Sequence, residues 1–123
     1  MQNHYLTYRN YLKNRFGKAV QIIPVNGGFS CPNRDGTKSF AGCTFCDNRS
    51  FSPVALKPKS ISHQLSEVIK NNTSKNKIFL AYLQPFSNTY GSVNQLKRVY
   101  EPILGVTGIK GLIIGTRPDC LSE

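Results

Sequence analysis

Residues 78–83 read IFLAYL, a continuous apolar run of strand length. A strand with one face in water alternates apolar and polar residues. A run without that alternation belongs to a strand buried on both faces, as in parallel sheets covered by helices. The flanking sequence agrees. Upstream, SISHQLSEVIKN (60–71) places Ile61, Leu65, Val68 and Ile69 on one face, with Ser60 or Ser62 available as a cap, so it reads as a helix. Downstream, Ser92-Val93-Asn94-Gln95 has the capping-box pattern, with Gln95 at the third helical position. The helix it opens turns Val93, Leu96, Val99 and Tyr100 inward, and Pro102 is expected to end or kink it near Glu101. GLIIG (111–115) reads as another short buried strand, followed by TRPDCLSE, which looks like the start of a further helix.

Toward the N-terminus, Tyr5, Tyr8, Leu12 and Phe16 recur at helical spacing and Gly17 can cap the end, which predicts an amphipathic helix over 4–16. Its aromatic stripe reads as core rather than as a platform for stacked bases. Val20 to Val25 is a β-branched, apolar strand, and Pro24 marks it as a sheet edge, a strand end or a bulge. Alternating strands and helices imply βαβ units and a parallel sheet, an α/β fold. Such folds bind ligands at the carboxyl ends of their strands. Here those ends are Asn26 onward, Gln84 onward and Thr116 onward. Strands that stop shortly before Cys120 leave a parallel edge open, so residues 1–123 are expected to be the N-terminal part of a longer barrel domain. Residues 1–17 form its leading helix and 18–123 its first βα units.

The chain has 123 residues and a net charge of +10, and Arg9, Lys13, Arg15, Lys18 and Arg34 stand in a stretch, 1–34, that holds no acidic residue. A field of that sign favours polyanions such as RNA, or an anionic small substrate, although solvated surface lysines give the same composition. No apolar run is long enough to span a membrane, and MQNHYLTYRNYLKNRFG lacks a signal-peptide core. The expected compartment is the cytoplasm. In reducing surroundings, clustered cysteines bind metal or do redox chemistry more often than they form structural disulfides.

The cluster is CPNRDGTKSFAGCTFC (31–46), three of the four cysteines spaced C-x11-C-x2-C. A Cys43–Cys46 disulfide is the plain alternative. A zinc knuckle on Cys43 and Cys46 with Cys31 as third ligand would need a fourth from His63, His4 or Cys120, and such a module could bind nucleic acid without catalysis. An iron-sulfur cluster held by three thiolates would leave one iron for a substrate or cofactor, as catalytic metal sites keep one position open. A metal-free interaction fragment is the remaining reading.

The stretch GGFSCPNRDGTKSFAGCTFC, followed by SF at 50–51 and later by GTRPDC (115–120), resembles the radical S-adenosylmethionine (SAM) superfamily. Within it, the stretch resembles the group related to the Elongator catalytic subunit and the tRNA methylthiotransferases. The superfamily's usual motif is C-x3-C-x2-C with an aromatic residue before the last cysteine. Phe45 matches that aromatic, while the first gap, eleven residues, is longer than usual. The resemblance implies a partial (βα) radical SAM (TIM-like) barrel. It implies a [4Fe-4S] cluster on Cys31, Cys43 and Cys46, with SAM chelating the fourth iron. It further implies an external electron donor and reductive cleavage of SAM to methionine and a 5′-deoxyadenosyl radical, with RNA as a candidate substrate. Phe45 would lie against adenine, and Gln84, Asn88, Thr89 and Tyr90, past the second strand, would meet the SAM amino group. Gly27, Gly28, Gly36 and Gly42 would let the loop approach a bulky cluster closely. Arg117 would meet a carboxylate or phosphate, or else pair with Asp119 to shape the turn, and Cys120 would be a small buried hydrophobe outside the ligand set.

Overall fold

The computed structural model describes residues 4–47, 60–72 and 76–122; the Ser50–Phe51 pair of the resemblance lies outside them. The elements run α1 (Tyr8–Phe16), β1 (Ala19–Val25), α2 (Ile61–Lys70), β2 (Lys77–Leu83), α3 (Val93–Leu104) and β3 (Ile109–Ile114), then a 3₁₀ turn at Pro118–Cys120. The strands form a parallel sheet in the order β1-β2-β3. Register is continuous from Ala19 opposite Lys77 to Val25 opposite Leu83, and it shifts once between β2 and β3, at Phe79/Leu80.

The run IFLAYL is the centre of this sheet, which is why it carries no alternation. Phe79, Leu80, Ala81 and Leu83 are all buried. Successive strand side chains point to opposite faces. Ile23 and Val25 of β1 share one face with Phe79, Ala81 and Leu83 of β2, and that face joins Leu65 of α2 and Ile103 of α3 in one core. The chain is therefore an α/β unit with α2 and α3 packed into the same sheet-bound core. Among the described residues no helix is long and apolar enough to cross a membrane.

Local signals explain the helix ends. Ser60, not Ser62, caps α2, its Oγ accepting from the His63 N–H at 3.3 Å. The capping box of α3 is complete: Gln95 N–H donates to Ser92 Oγ, and Ser92 N–H donates to Gln95 Oε1 at 2.8 Å. Gly17 closes α1 in the left-handed region, at φ 71°.

Four expectations need correction. Helix α1 starts at Tyr8 rather than at residue 4, because Thr7 takes the cap and accepts the Asn10 N–H at 3.2 Å. The aromatic stripe then fails as a core: Tyr5 and Tyr8 are 71% and 53% exposed, Leu12 is the buried residue, and Tyr8 stacks on Tyr11 instead. Periodicity reveals a stripe but not whether anything covers it. Helix α3 runs past Pro102 to Leu104, because the last turn is held by Gly105 N–H donating to Glu101 and by the fully buried Ile103. Val93 sits in the first turn of α3 and is 56% exposed, not inward.

Candidate functional site

Each strand end delivers one wall of the site. Past β1, the side chain of Gln64 on α2 grips Asn26 through two bonds, accepting its N–H at 2.9 Å and donating to its carbonyl at 3.3 Å. Asn26 Oδ1 then accepts the Gly28 N–H at 2.9 Å, and Gly28 turns the chain at φ 78°, a conformation that favours glycine. The cysteine loop thus leaves the sheet in a fixed direction, and Ser87 N–H, donating to the Ser30 carbonyl, binds it to the β2 loop.

Past β2, Asn88 is fully buried and its amide donates to the carbonyls of Leu83 and Gly115, each at 2.8 Å, and of Pro85 at 3.1 Å. Tyr100 of α3 donates to the Asn88 carbonyl. Asn88 therefore ties the ends of β2 and β3 together. Asn88→Asp keeps the shape but turns a donor among carbonyls into a charged acceptor. We expect it to cost at least about 3 kcal/mol, read as a lowered midpoint in chemical denaturation with Asn88→Ala less affected.

The cysteine loop is folded by its own backbone. Cys31 carbonyl accepts the N–H groups of Arg34 and Asp35, Pro32 carbonyl accepts those of Lys38 and Ser39, and Cys46 N–H donates to Cys43 carbonyl. Most informative is Gly42 N–H donating to the Asn33 carbonyl at 2.7 Å. That bond pinches off residues 34–41 as an excursion. Across its neck the path from Cys31 to Cys43 is Pro32, Asn33, Gly42: three residues in place of eleven. Gly42 needs to be glycine here, since its φ is 77° and a Cβ would come within 3.0 Å of the Arg34 guanidinium.

The excursion reaches across to the other strand ends. Thr37 Oγ1 meets Tyr90 OH at 3.0 Å, and Lys38 Nζ binds Asp119 at 2.9 Å. Asp119 also takes both arms of Arg117, at 2.9 and 2.7 Å, so Arg117 shapes the turn as one of its two readings had it. The Lys38 ammonium, and then the Arg117 guanidinium, hold the Asp119 carboxyl down to about 2. A folded value below the unfolded one means that this tether is at full strength above about pH 4 and is lost as pH falls through about 2. An NMR titration of the Lys38 and Asp119 side chains in the folded protein should show that midpoint, and Asp119→Asn should remove it.

These walls enclose a cavity of about 420 Å³ lined by Cys31, Cys43, Cys46, Phe45, Gln84 and Arg117, with Asn33, Arg34, Phe86 and Ser87. Cys31 is buried, Cys43 and Cys46 are half-buried, and all four cysteines of the chain are free, so no disulfide joins Cys43 to Cys46. Phe45 stands at the cavity 89% exposed, an aromatic face open to a ligand. Asn88 and Thr89, expected from the sequence as cofactor contacts, are not on this wall. Asn88 serves the strand ends, and Thr89 Oγ1 bonds Thr116 and the Cys120 carbonyl. Arg34, Asn33 and Phe86 were missed as site residues, although adjacency to Cys31 was a signal for the first two.

The zinc alternatives are not drawn together. His63 is exposed on α2 beside Glu67, at 3.7 Å, and His4 is exposed ahead of α1. Cys120 is buried outside the cavity wall, and burial pushes its thiol up, toward the neutral form. Among the described residues no group of three or more His, Cys, Asp and Glu converges to hold a single ion. Cys31, Cys43 and Cys46 do line one cavity together. Asn33 Nδ2 donates to Cys43 Sγ at 3.0 Å.

A larger cavity, about 870 Å³, lies at the opposite end of the sheet between α1 and β1. Arg9, Lys13 and Lys77 line it, with Asn10 and Gln21 but no cysteine. It is a cationic groove remote from the thiols, and size alone does not make it the chemical site.

Fold and site together define an α/β protein with a three-stranded parallel sheet whose strand ends carry a three-cysteine cavity. The chain is similar to protein YhcC of Escherichia coli (strain K12), 41% identical over 112 residues that cover 91% of this chain and 36% of that protein. It is also similar to uncharacterized protein YtqA of Bacillus subtilis (strain 168), 36% identical over 126 residues, 99% of this chain and 39% of that one. Uncharacterized protein MJ0486 of Methanocaldococcus jannaschii is 35% identical over 121 residues, 94% of this chain and 36% of that one. The chain thus spans little more than a third of the length of the curated relatives it matches. No protein-family model matches it, and no solved structure matches it significantly.

Proposed function

We propose that the chain is the N-terminal part of a radical SAM enzyme with a (βα) barrel, in which Cys31, Cys43 and Cys46 hold a [4Fe-4S] cluster and leave one iron for SAM. The observation that carries this reading is the neck at Asn33 and Gly42, which reduces the eleven-residue gap to the C-x3-C-x2-C spacing of the superfamily. Held by Cys31, Cys43 and Cys46, such a cluster would supply the single electron that the reductive cleavage of SAM to methionine and a 5′-deoxyadenosyl radical requires.

The chain's own residues bind and position these groups. Three thiolates from one loop bind the cluster at the carboxyl ends of the strands. Gln84 on the cavity wall offers its amide to the SAM amino acid moiety, and Phe45 offers an apolar face to adenine. The excursion 34–41 is tied to Tyr90 and Asp119 and brings Arg34 to the cavity wall. The proposal includes an external low-potential electron donor and a reducing, cytoplasmic setting. It also includes RNA as substrate, motivated by the net charge of +10. The groove at Arg9, Lys13 and Lys77 is remote from the cysteines, so it would hold a large polyanion rather than the reacting atom.

The test is anaerobic reconstitution with iron and sulfide, with bound metals quantified and the absorption spectrum recorded. About four irons per chain and a brown chromophore are expected. A colourless protein that holds one zinc and refuses iron would sink the reading.

A further inference from the structure

We propose that Arg34 and Asn33 are tuning residues that donate hydrogen bonds to the sulfurs of Cys46 and Cys43 and thereby raise the reduction potential of the cluster held there. The inference rests on the cluster reading above and deepens it. Both side chains belong to the long spacer. Asn33 is the inner side of the neck, and its Nδ2 lies 3.0 Å from Cys43 Sγ. Arg34 is the first residue beyond the neck. Its guanidinium turns back into the cavity, where Nη2 donates to the Cys46 carbonyl at 3.0 Å and reaches Cys46 Sγ at 3.7 Å.

The surroundings are built to keep Arg34 there. The Phe86 ring lies 5.6 Å from the guanidinium carbon, within cation–π range. Phe86 holds φ at 66°, the only positive value at a non-glycine position among the described residues. A bulky residue in that region costs on the order of 1 kcal/mol or more and persists where its surroundings enforce it. Here the outcome is an aromatic face presented to Arg34. On the other side Gly42 leaves just enough room, since a Cβ there would meet the guanidinium.

Charge accounts for the direction. Cluster potentials follow net charge and hydrogen bonds to sulfur. Reduction adds negative charge, so a cation and an amide donor at the sulfurs favour the reduced state. Arg117, the other cavity cation, is paired with Asp119, a carboxylate it shares with Lys38, and does not reach the cysteine sulfurs through any described hydrogen bond. Arg34 takes Cys46 as its hydrogen-bond partner, with Asp47 adding a weaker attraction. The spacer would therefore do two things: its neck sets the cysteine spacing, and its first residues set how readily the site accepts an electron from an external donor.

The experiment uses the full chain reconstituted anaerobically with iron and sulfide. Iron content is measured, and the cluster is titrated with a chemical reductant under EPR and optical detection. Arg34→Gln removes the charge, Arg34→Lys keeps it, and Asn33→Asp exchanges the donor for an acceptor of the same shape. At equal poise, the reduced-to-oxidised ratio should fall at least tenfold in Arg34→Gln and in Asn33→Asp, which is about 59 mV for one electron. Arg34→Lys should stay within about threefold of the wild-type ratio, about 28 mV on the same scale. Full iron content with an unmoved ratio in both Gln and Asp variants overturns this inference alone. If Arg34→Gln fails to hold iron, Asn33→Asp decides: a lowered ratio supports the inference and an unchanged one overturns it. Failure of the wild-type chain to take up iron defeats the cluster reading and this inference with it.

Discussion

Replacing Cys31, Cys43 or Cys46 singly with serine is expected to abolish cluster uptake, whereas Cys120→Ser leaves iron content unchanged. The three line one cavity and come from one self-braced loop, so each removes a third of the protein's ligand set. Serine offers iron a poor ligand at neutral pH, because its hydroxyl is far less acidic than a thiol. Cys120 is a useful control. It is buried near the same loops, its thiol is pushed up by burial, and it stands off the cavity wall. Iron and sulfide counts per chain, with folding checked by circular dichroism, read the result. Loss of cluster in Cys120→Ser alone would show that the ligand set has been wrongly drawn.

Excising residues 34–41 should leave a chain that still assembles its cluster, a large deletion with a small effect on iron content. The excised protein reads Cys31-Pro32-Asn33-Gly42-Cys43, the shortened path that the neck already defines. Residues joined by a backbone hydrogen bond across a pair sit about 5 Å apart at Cα, against 3.8 Å across a peptide bond. Joining Asn33 to Gly42 therefore moves the backbone by only an ångström or two on that arithmetic. Deleting residues 33–42 instead removes both sides of the neck, leaves only Pro32 between Cys31 and Cys43, and should abolish uptake. If both deletions behave alike, the neck is not what sets the spacing. The excised protein would also lose Arg34 and the tethers to Tyr90 and Asp119, so a lower potential is expected of it.

The central strand was legible because a buried parallel strand leaves an unambiguous mark: IFLAYL has no polar position to mislead. The cap at Ser92 was legible, and that of α2 was narrowed to Ser60 or Ser62, because capping is local, decided by residues three apart. The convergence of Cys31, Gln84 and Arg117 followed from topology, since parallel strands bring all their carboxyl ends to one side. Tertiary effects were not visible. Pro102 fails to stop α3 because Ile103 is buried, and Tyr5 and Tyr8 stay exposed because no described element covers them. The neck between Asn33 and Gly42 is a backbone bond without a side-chain signature, and glycine at 42 was its only trace. Asn88 looked like a ligand contact because amides in loops past strands commonly are, but this one is spent on carbonyls of its own chain.

The most direct measurement is the EPR spectrum of the reduced, reconstituted protein with and without SAM, alongside its iron count. About four irons per chain are predicted, with a spectrum that changes when SAM occupies the iron that lacks a cysteine. A cluster whose spectrum is indifferent to SAM would contradict the account, as would a protein that binds a single zinc in place of iron.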